Sequence, residues 1–134
     1  MKKIYLATVF IFLIVQYSCI NAADKATPKI MTAEYEIRNY NQSEQGFAVF
    51  MVINHLPENC RISSIILRNK RFDNIITTQM NESDVFIDQF FPVNSQLLSD
   101  FTPPQTDSRT DGIVFEMEGE KIFKEINFNL KTVK

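Results

Sequence analysis

Phe47–Ile53 reads FAVFMVI, and this unbroken apolar run is the stretch that decides the fold. It consists largely of β-branched and aromatic residues, which favour strands. The polar turn segment Asn41–Gly46 precedes it, and Asn54 and His55 follow it. A short apolar run between such turn signals is typical of a fully buried strand. We therefore predict that residues 47–53 form the central strand of a sheet.

The segment before this run alternates between apolar and polar residues. Ala33, Tyr35 and Ile37 share one side of Ile30–Tyr40, and the side chains between them are polar. This period-two alternation predicts a strand with one face buried and the other in water.

Further apolar segments, separated by turn residues, predict additional strands. The predicted strands after the central one are Ile62–Leu67, Ile75–Gln79, Val85–Phe91, Ile113–Met117 and Ile122–Leu130. Pro92 is predicted to end its strand, because proline lacks the N–H that a ladder needs. Glu118-Gly119 is predicted to be a hairpin turn, with a bulge after it at Phe123-Lys124.

Seven short strands without a sustained helical period predict an all-β fold. We expect an immunoglobulin-like antiparallel β-sandwich formed by a single domain over residues 30–134, with a small closed barrel as the alternative. The Cys…Trp…Cys pattern of antibody domains is absent, since the chain has no tryptophan. The prediction therefore concerns the architecture alone.

The first nineteen residues have the organisation of an export signal. Met1-Lys2-Lys3 is basic, and Ile4–Val15 is apolar. The apolar segment is shorter than the roughly 20 residues that a membrane-spanning helix needs. We therefore predict a signal peptide over 1–19, followed by a polar tether over 20–29, with an uncleaved anchor as the alternative.

Ser18-Cys19, directly after the apolar segment, resembles the lipobox of bacterial lipoproteins. In that family the position of Gln16 usually carries an aliphatic residue. The resemblance implies that Cys19 becomes a lipidated N-terminus and that the protein is anchored in the bacterial cell envelope. The alternative is ordinary cleavage after Ala22 or Ala23, which would give a freely secreted or periplasmic protein.

Net charge limits the partners of the exported chain. Without Lys2 and Lys3, 12 of the 14 basic residues remain against 16 acidic residues, a formal charge of −4. A mildly acidic chain without a basic cluster does not favour nucleic acid or an anionic membrane surface. We predict contact with the membrane through the lipid anchor only.

His55 and Cys60 are the residues from which a nucleophilic site would have to be built. His55 is the only histidine, and Cys60 has no intramolecular partner once Cys19 is lipidated or removed. No family nucleophile motif surrounds either residue, and a zinc site needs three or four ligands. We predict that Cys60 is a buried small apolar residue, and we predict no catalytic residue, metal or cofactor.

Several carboxylates cluster in sequence around the long loop that follows residue 98. They are Asp100, Asp107, Asp111, Glu116 and Glu118. Oxygen ligands suit calcium, but the spacing does not match an EF-hand loop. We therefore interpret these residues as solvated loop carboxylates.

The long segment Ser99–Gly112 is the predicted contact surface, because a loop of this length in a compact domain is usually functional or disordered. Its expected partner-binding residues are Phe101, Pro103, Pro104 and Arg109. Just before it, the spacing of Leu97, Leu98 and Phe101 fits either one helical turn capped by Ser95 or a short strand.

These observations predict a non-catalytic module that binds another envelope or extracellular protein. One alternative is a carrier that holds an apolar molecule between its phenylalanine-rich sheets. A small exported hydrolase, using an acid pair or Cys60 with His55, is the other.

Overall fold

A computed structural model describes residues 28–40 and 43–132, and its regular elements in those ranges are all β-strands. The strands are β1 (Lys29–Tyr40), β2 (Glu44–Asn54), β3 (Cys60–Leu67), β4 (Lys70–Phe72), β5 (Thr78–Gln79), β6 (Val85–Ser95), β7 (Gln105–Thr106), β8 (Gly112–Met117), β9 (Glu120–Glu125) and β10 (Asn129–Leu130). No described residue belongs to a helix that is long and apolar enough to cross a membrane.

The first sheet has the order β10-β1-β2-β6-β5, with β2 at its centre. This confirms the central strand predicted from the apolar run. Val49, Met51 and Ile53 alternate along β2 and are almost completely buried. The neighbouring strands β1 and β6 run antiparallel to it, whereas the short pairing of β10 with β1 is parallel.

The second sheet has the order β7-β4-β3-β8-β9, with β3 at its centre. Ile65 and Leu67 on β3, together with Ile113 and Phe115 on β8, are buried and belong to the same core as the apolar face of the first sheet. Each sheet therefore buries one face against the other.

Three phenylalanine rings join the two sheets at one end of the core. The Phe72 ring of β4 lies 5.1 Å from that of Phe91 on β6 and 6.0 Å from that of Phe47 on β2, measured between centroids. The molecule is therefore a two-sheet β-sandwich, as predicted.

Two tight turns connect neighbouring strands of the second sheet. Glu118 and Gly119 both have positive φ, at 52° and 81°, so the predicted hairpin turn is confirmed. Arg68 and Asn69 form the equivalent turn between β3 and β4, with φ values of 52° and 65°. The sequence prediction missed β4, since its turn lacks glycine and the strand has only three residues.

Pro92 does not end its strand, which corrects one prediction. β6 continues through Pro92 to Ser95, and Pro92 lies opposite Gly46 of β2. The pairing register shifts between Gln45 and Gly46. An irregular ladder tolerates a residue without an N–H, and this explains why proline fits there.

The predicted last strand over Ile122–Leu130 is divided between the two sheets. β9 ends at Glu125 in the second sheet, and β10 begins at Asn129 in the first. Between them Ile126 is buried in the core, and its N–H donates to Asp111 O at 2.9 Å. The apolar pattern continues because the connecting segment also faces the core. The bulge predicted at Phe123-Lys124 is absent, because the ladder between β8 and β9 keeps one continuous register there.

The remaining differences concern short elements and strand ends. The predicted strand Ile75–Gln79 is reduced to β5, and Ile37 at the end of β1 is 49% exposed. The segment of Leu97, Leu98 and Phe101 forms bends and a turn rather than a helix or a strand.

The chain enters the first sheet at the end opposite to the one where β6 leaves it. Lys29 pairs with Asn54 at one end of β2, and Ser95 pairs with Glu44 at the other. Ten steps of about 3.3 Å along β2 separate these ends by roughly 33 Å. Cys19 and the predicted signal peptide lie outside the described residues.

Candidate functional site

The predicted contact segment is held to the sandwich in its middle, and the chain just before it is held as well. Ser95 Oγ accepts the Leu97 N–H at 3.2 Å and donates to Glu44 Oε2 at 3.0 Å. Farther along, β7 pairs with β4 at the edge of the second sheet. The segment Ser99–Gly112 therefore contains a short strand that fixes its course.

This anchored segment covers a groove between the two sheets, which we call the loop groove. Its volume is about 430 Å³. The apolar residues that line it are Phe72, Phe90, Phe91, Pro92, Leu98, Phe101, Pro103 and Pro104, and its polar residues include Arg71, Asp73, Asn74, Gln89, Asp100 and Gln105.

The loop groove offers an apolar surface to a ligand. Phe72 and Phe91 form its buried floor, whereas Leu98 on its rim is 54% exposed. Phe101 and Pro104 are half-buried. An apolar groove with exposed rim residues is a common kind of protein-binding surface, because an apolar side chain of the partner is removed from water there.

Three of the four predicted binding residues meet in this groove, but Arg109 lies elsewhere. It belongs to the outer face of the second sheet, where its guanidinium carbon lies 5.2 Å from the centroid of the Phe123 ring. Arg109 Nε and Nη2 donate to the two carboxylate oxygens of Asp107 at 3.0 and 2.9 Å. These bonds, together with one from the Arg109 N–H, lower the pKa of Asp107 to about 2.

Arg109 lines a second depression of about 420 Å³, which we call the basic cleft. Its basic residues are Arg61, Arg71, Arg109 and Lys121. Arg61 pairs with Glu116, and Arg71 Nε lies 3.3 Å from Asp73 Oδ1.

Arg71 belongs to both the loop groove and the basic cleft. Its Nη2 donates to Gln105 Oε1 at 2.7 Å, which connects β4 to β7. Its Nε–H is buried and donates no hydrogen bond to the described residues, although Asp73 Oδ1 is nearby. That carboxylate oxygen accepts the Ser64 hydroxyl at 2.6 Å.

The structure does not bring His55 and Cys60 together as a nucleophilic pair. His55 is exposed, with a φ of 60°, and no hydrogen bond joins it to Cys60 within the described part of the chain. Cys60 is buried, as predicted, and burial raises the pKa of its thiol. Because the thiolate is the reactive form, this thiol is a poor nucleophile.

The carboxylates of the long segment and of β8 make separate polar contacts. Asp111 Oδ1 accepts the Arg68 N–H at 2.9 Å, and Glu118 accepts an N–H of the Asn59 side chain at 3.2 Å. Residues 28–40 and 43–132 contain no group of three or more acidic, histidine or cysteine residues that could hold a metal ion.

Leu98 and Arg71 are the candidate site residues that the sequence prediction missed. The sequence predicts Leu98 only as part of a helical turn or a short strand, and it assigns Arg71 to no site. The neighbouring exposed pair Leu97-Leu98, directly before the proline-rich segment, is a signal that could have indicated Leu98.

The comparisons with known proteins identify no relative of this chain: no protein-family model, no curated protein and no solved structure matches it. The residues of the loop groove and of the basic cleft therefore provide the basis for inferring a function.

Proposed function

We propose that this chain is an exported, lipid-anchored module that has no catalytic activity and binds another envelope or extracellular protein through the loop groove. The observation that carries this proposal is the convergence of Phe101, Pro103 and Pro104 with exposed Leu98 around one apolar groove. A partner that inserts an apolar side chain there gains burial, and the contacts of Ser95 and β7 reduce the cost of ordering the loop.

The position of the groove relative to the start of the domain supports an anchored module. The segment that borders the groove leaves the first sheet at Ser95, roughly 33 Å along β2 from the pairing of Lys29 with Asn54. An anchor at Cys19 would hold the domain by the end at Lys29. The groove would then face away from the membrane.

The strand order supports the immunoglobulin-like interpretation of the fold. The order β1-β2-β6-β5 corresponds to strands A-B-E-D of that fold, and β3-β8-β9 corresponds to C-F-G. In this assignment the segment over the groove is the connection between strands E and F. Connections at the ends of such sandwiches are their usual binding elements.

The test of partner binding compares two neighbouring leucines. The tagged chain is cross-linked in the envelope of the producing bacterium, and the captured protein is identified by mass spectrometry. Leu98→Gln combined with Phe101→Ser is expected to reduce its recovery at least about tenfold, which corresponds to about 1.4 kcal/mol. Leu97→Gln is the matched control, because Leu97 is 67% exposed and does not line the groove.

Equal recovery with the groove variant and with wild type would contradict the proposal, provided that both proteins melt at the same temperature.

The lipid anchor is tested separately, by measuring the intact mass of the mature protein. A lipidated terminus at Cys19 is expected, and Cys19→Ser is expected to move the protein from the membrane fraction to the soluble fraction. An unlipidated N-terminus at Ala23 or Asp24 would contradict the proposed lipid anchor, but it would not contradict the proposed binding of a partner in the loop groove.

A further inference from the structure

The basic cleft and the loop groove share a border. Arg71, Asp73 and Asn74 line both depressions, the groove on one side and the cleft on the other. A partner segment that occupies the groove therefore reaches the cleft by crossing these residues. Any charged group beside its apolar anchor would meet the side chains of the cleft.

The cleft has an excess of positive charge in a chain that is acidic as a whole. Its four basic side chains face three carboxylates, those of Asp73, Asp107 and Glu116, which leaves one positive charge. Lys121 provides this excess. Glu116 lies opposite it in the ladder of β8 and β9, but the Glu116 carboxylate pairs with Arg61, and no ion pair involves Lys121 within residues 28–40 and 43–132.

Contacts with the rest of the domain hold two guanidinium groups of the cleft in place. Arg109 lies over the Phe123 ring and is fixed by Asp107, which engages only its Nε and Nη2. Arg71 is held by Gln105 and by the Asp73 carboxylate, whose Oδ1 lies 3.3 Å from Arg71 Nε.

We infer that the basic cleft binds a carboxylate of the same partner segment that occupies the loop groove, so that the partner carries an acidic residue beside its apolar anchor. This inference rests on the proposed function. One carboxylate matches the single excess charge, and arginine offers it paired N–H groups. A phosphate, with a charge of about −1.5 to −2 at pH 7, would leave uncompensated negative charge near Asp73, Asp107 and Glu116.

The test is a selection of random peptides displayed on phage against the purified protein. We expect the enriched peptides to combine an aromatic or aliphatic residue with Asp or Glu a few positions away. Replacing that acid by its amide is expected to weaken the binding of the synthetic peptide about tenfold or more. Lys121→Gln is expected to weaken binding as well. The exposed Lys29, at the start of β1 in the first sheet, lines neither depression and provides the matched control Lys29→Gln.

The other outcomes separate the two proposals. Apolar peptides without acidic residues, lost with Leu98→Gln, would overturn the carboxylate inference and leave the proposed function intact. The inference would also be overturned if acidic peptides bound the Leu98→Gln variant as tightly as the wild type. It would be overturned as well if inorganic phosphate displaced the peptides more strongly than glutarate does. Failure to enrich any peptide above the unselected library would contradict both proposals.

Discussion

The guanidinium of Arg109 stacks over the ring of Phe123, with 5.2 Å between the guanidinium carbon and the ring centroid. The same ring covers Gly112, where an added methyl group would lie 2.6 Å from Phe123 Cε2. A residue of the long segment is thereby connected through one aromatic side chain to the strand β8 on which that segment ends. This stack fixes the last part of the segment against the second sheet.

We expect Arg109 and Phe123 to be energetically coupled. In a double-mutant cycle of Arg109→Gln and Phe123→Leu, the free energies of unfolding should deviate from additivity by about 0.5–1 kcal/mol, the usual strength of an exposed cation–π contact. The measurement is urea unfolding of the four proteins. Additivity of the two substitutions would contradict a contribution of this contact to stability.

Asp107 should titrate at unusually low pH. Its pKa is about 2 in the folded protein against an ordinary value of 3.8, so its contribution to stability is complete above pH 3.8 and is lost as the pH falls toward 2. Arg109→Gln should raise the pKa toward 3.8, since the main hydrogen bonds come from Arg109. Carboxyl ¹³C resonances report this titration. Arg38→Gln, on the first sheet, should leave it unchanged, and a normal pKa in the wild type would refute the pairing.

Truncation of a buried and of an exposed isoleucine should change the stability of the protein to different extents. Ile87 is completely buried, whereas Ile76 is 67% exposed. Ile87→Ala should lower the free energy of unfolding by about 2–5 kcal/mol, because it removes buried methyl groups and leaves a cavity. Ile76→Ala should change it by less than about 0.5 kcal/mol. Similar effects in denaturant unfolding would mean that the core is not packed as described.

Gly112 should not tolerate a side chain. A methyl group there would collide with the Lys124 carbonyl and with the Phe123 ring, and the carbonyl belongs to the paired strand β9. Gly112→Ala should therefore destabilise the protein by about 1–3 kcal/mol. Gly119→Asn is the control, because asparagine tolerates the positive φ and nothing lies within 4 Å. Equal melting temperatures of these two variants would contradict the close approach of β8 and β9.

Cys60 should behave as a small apolar residue. In a chain that also carries Cys19→Ser, Cys60→Ser should destabilise more than Cys60→Ala, since a buried hydroxyl without a partner costs about 1–3 kcal/mol. Urea unfolding compares the two variants. If serine were the better replacement, the environment of Cys60 would have to be polar.

The long strands were predictable because apolar residues recur at every second position where one face of the strand is buried. FAVFMVI identified the centre of the first sheet, and Val85, Ile87 and Phe91 identified the inner face of β6. The two-sheet architecture followed from these patterns. Pro92 misled the prediction, because the register shift that accommodates proline arises from pairing with β2, which no local pattern reveals.

The candidate site was predictable only in part. Phe101, Pro103 and Pro104 meet in one groove because they lie together in sequence before β7. Arg109 follows β7, which pairs with β4 and carries the chain onto the outer face of the second sheet. A two-residue strand has no periodicity, and its partner is distant in sequence. The division of the predicted set between two depressions could therefore come only from the tertiary structure.

The pairing of Lys29 with Asn54 and of Ser95 with Glu44 has a mechanical consequence. A pull between Lys29 and Ser95 runs along the strands, and the hydrogen bonds of the two ladders lie across that direction. The bonds are consequently loaded in shear, many at once, instead of opening one after another like a zipper. The domain should therefore resist tension applied between Lys29 and Ser95.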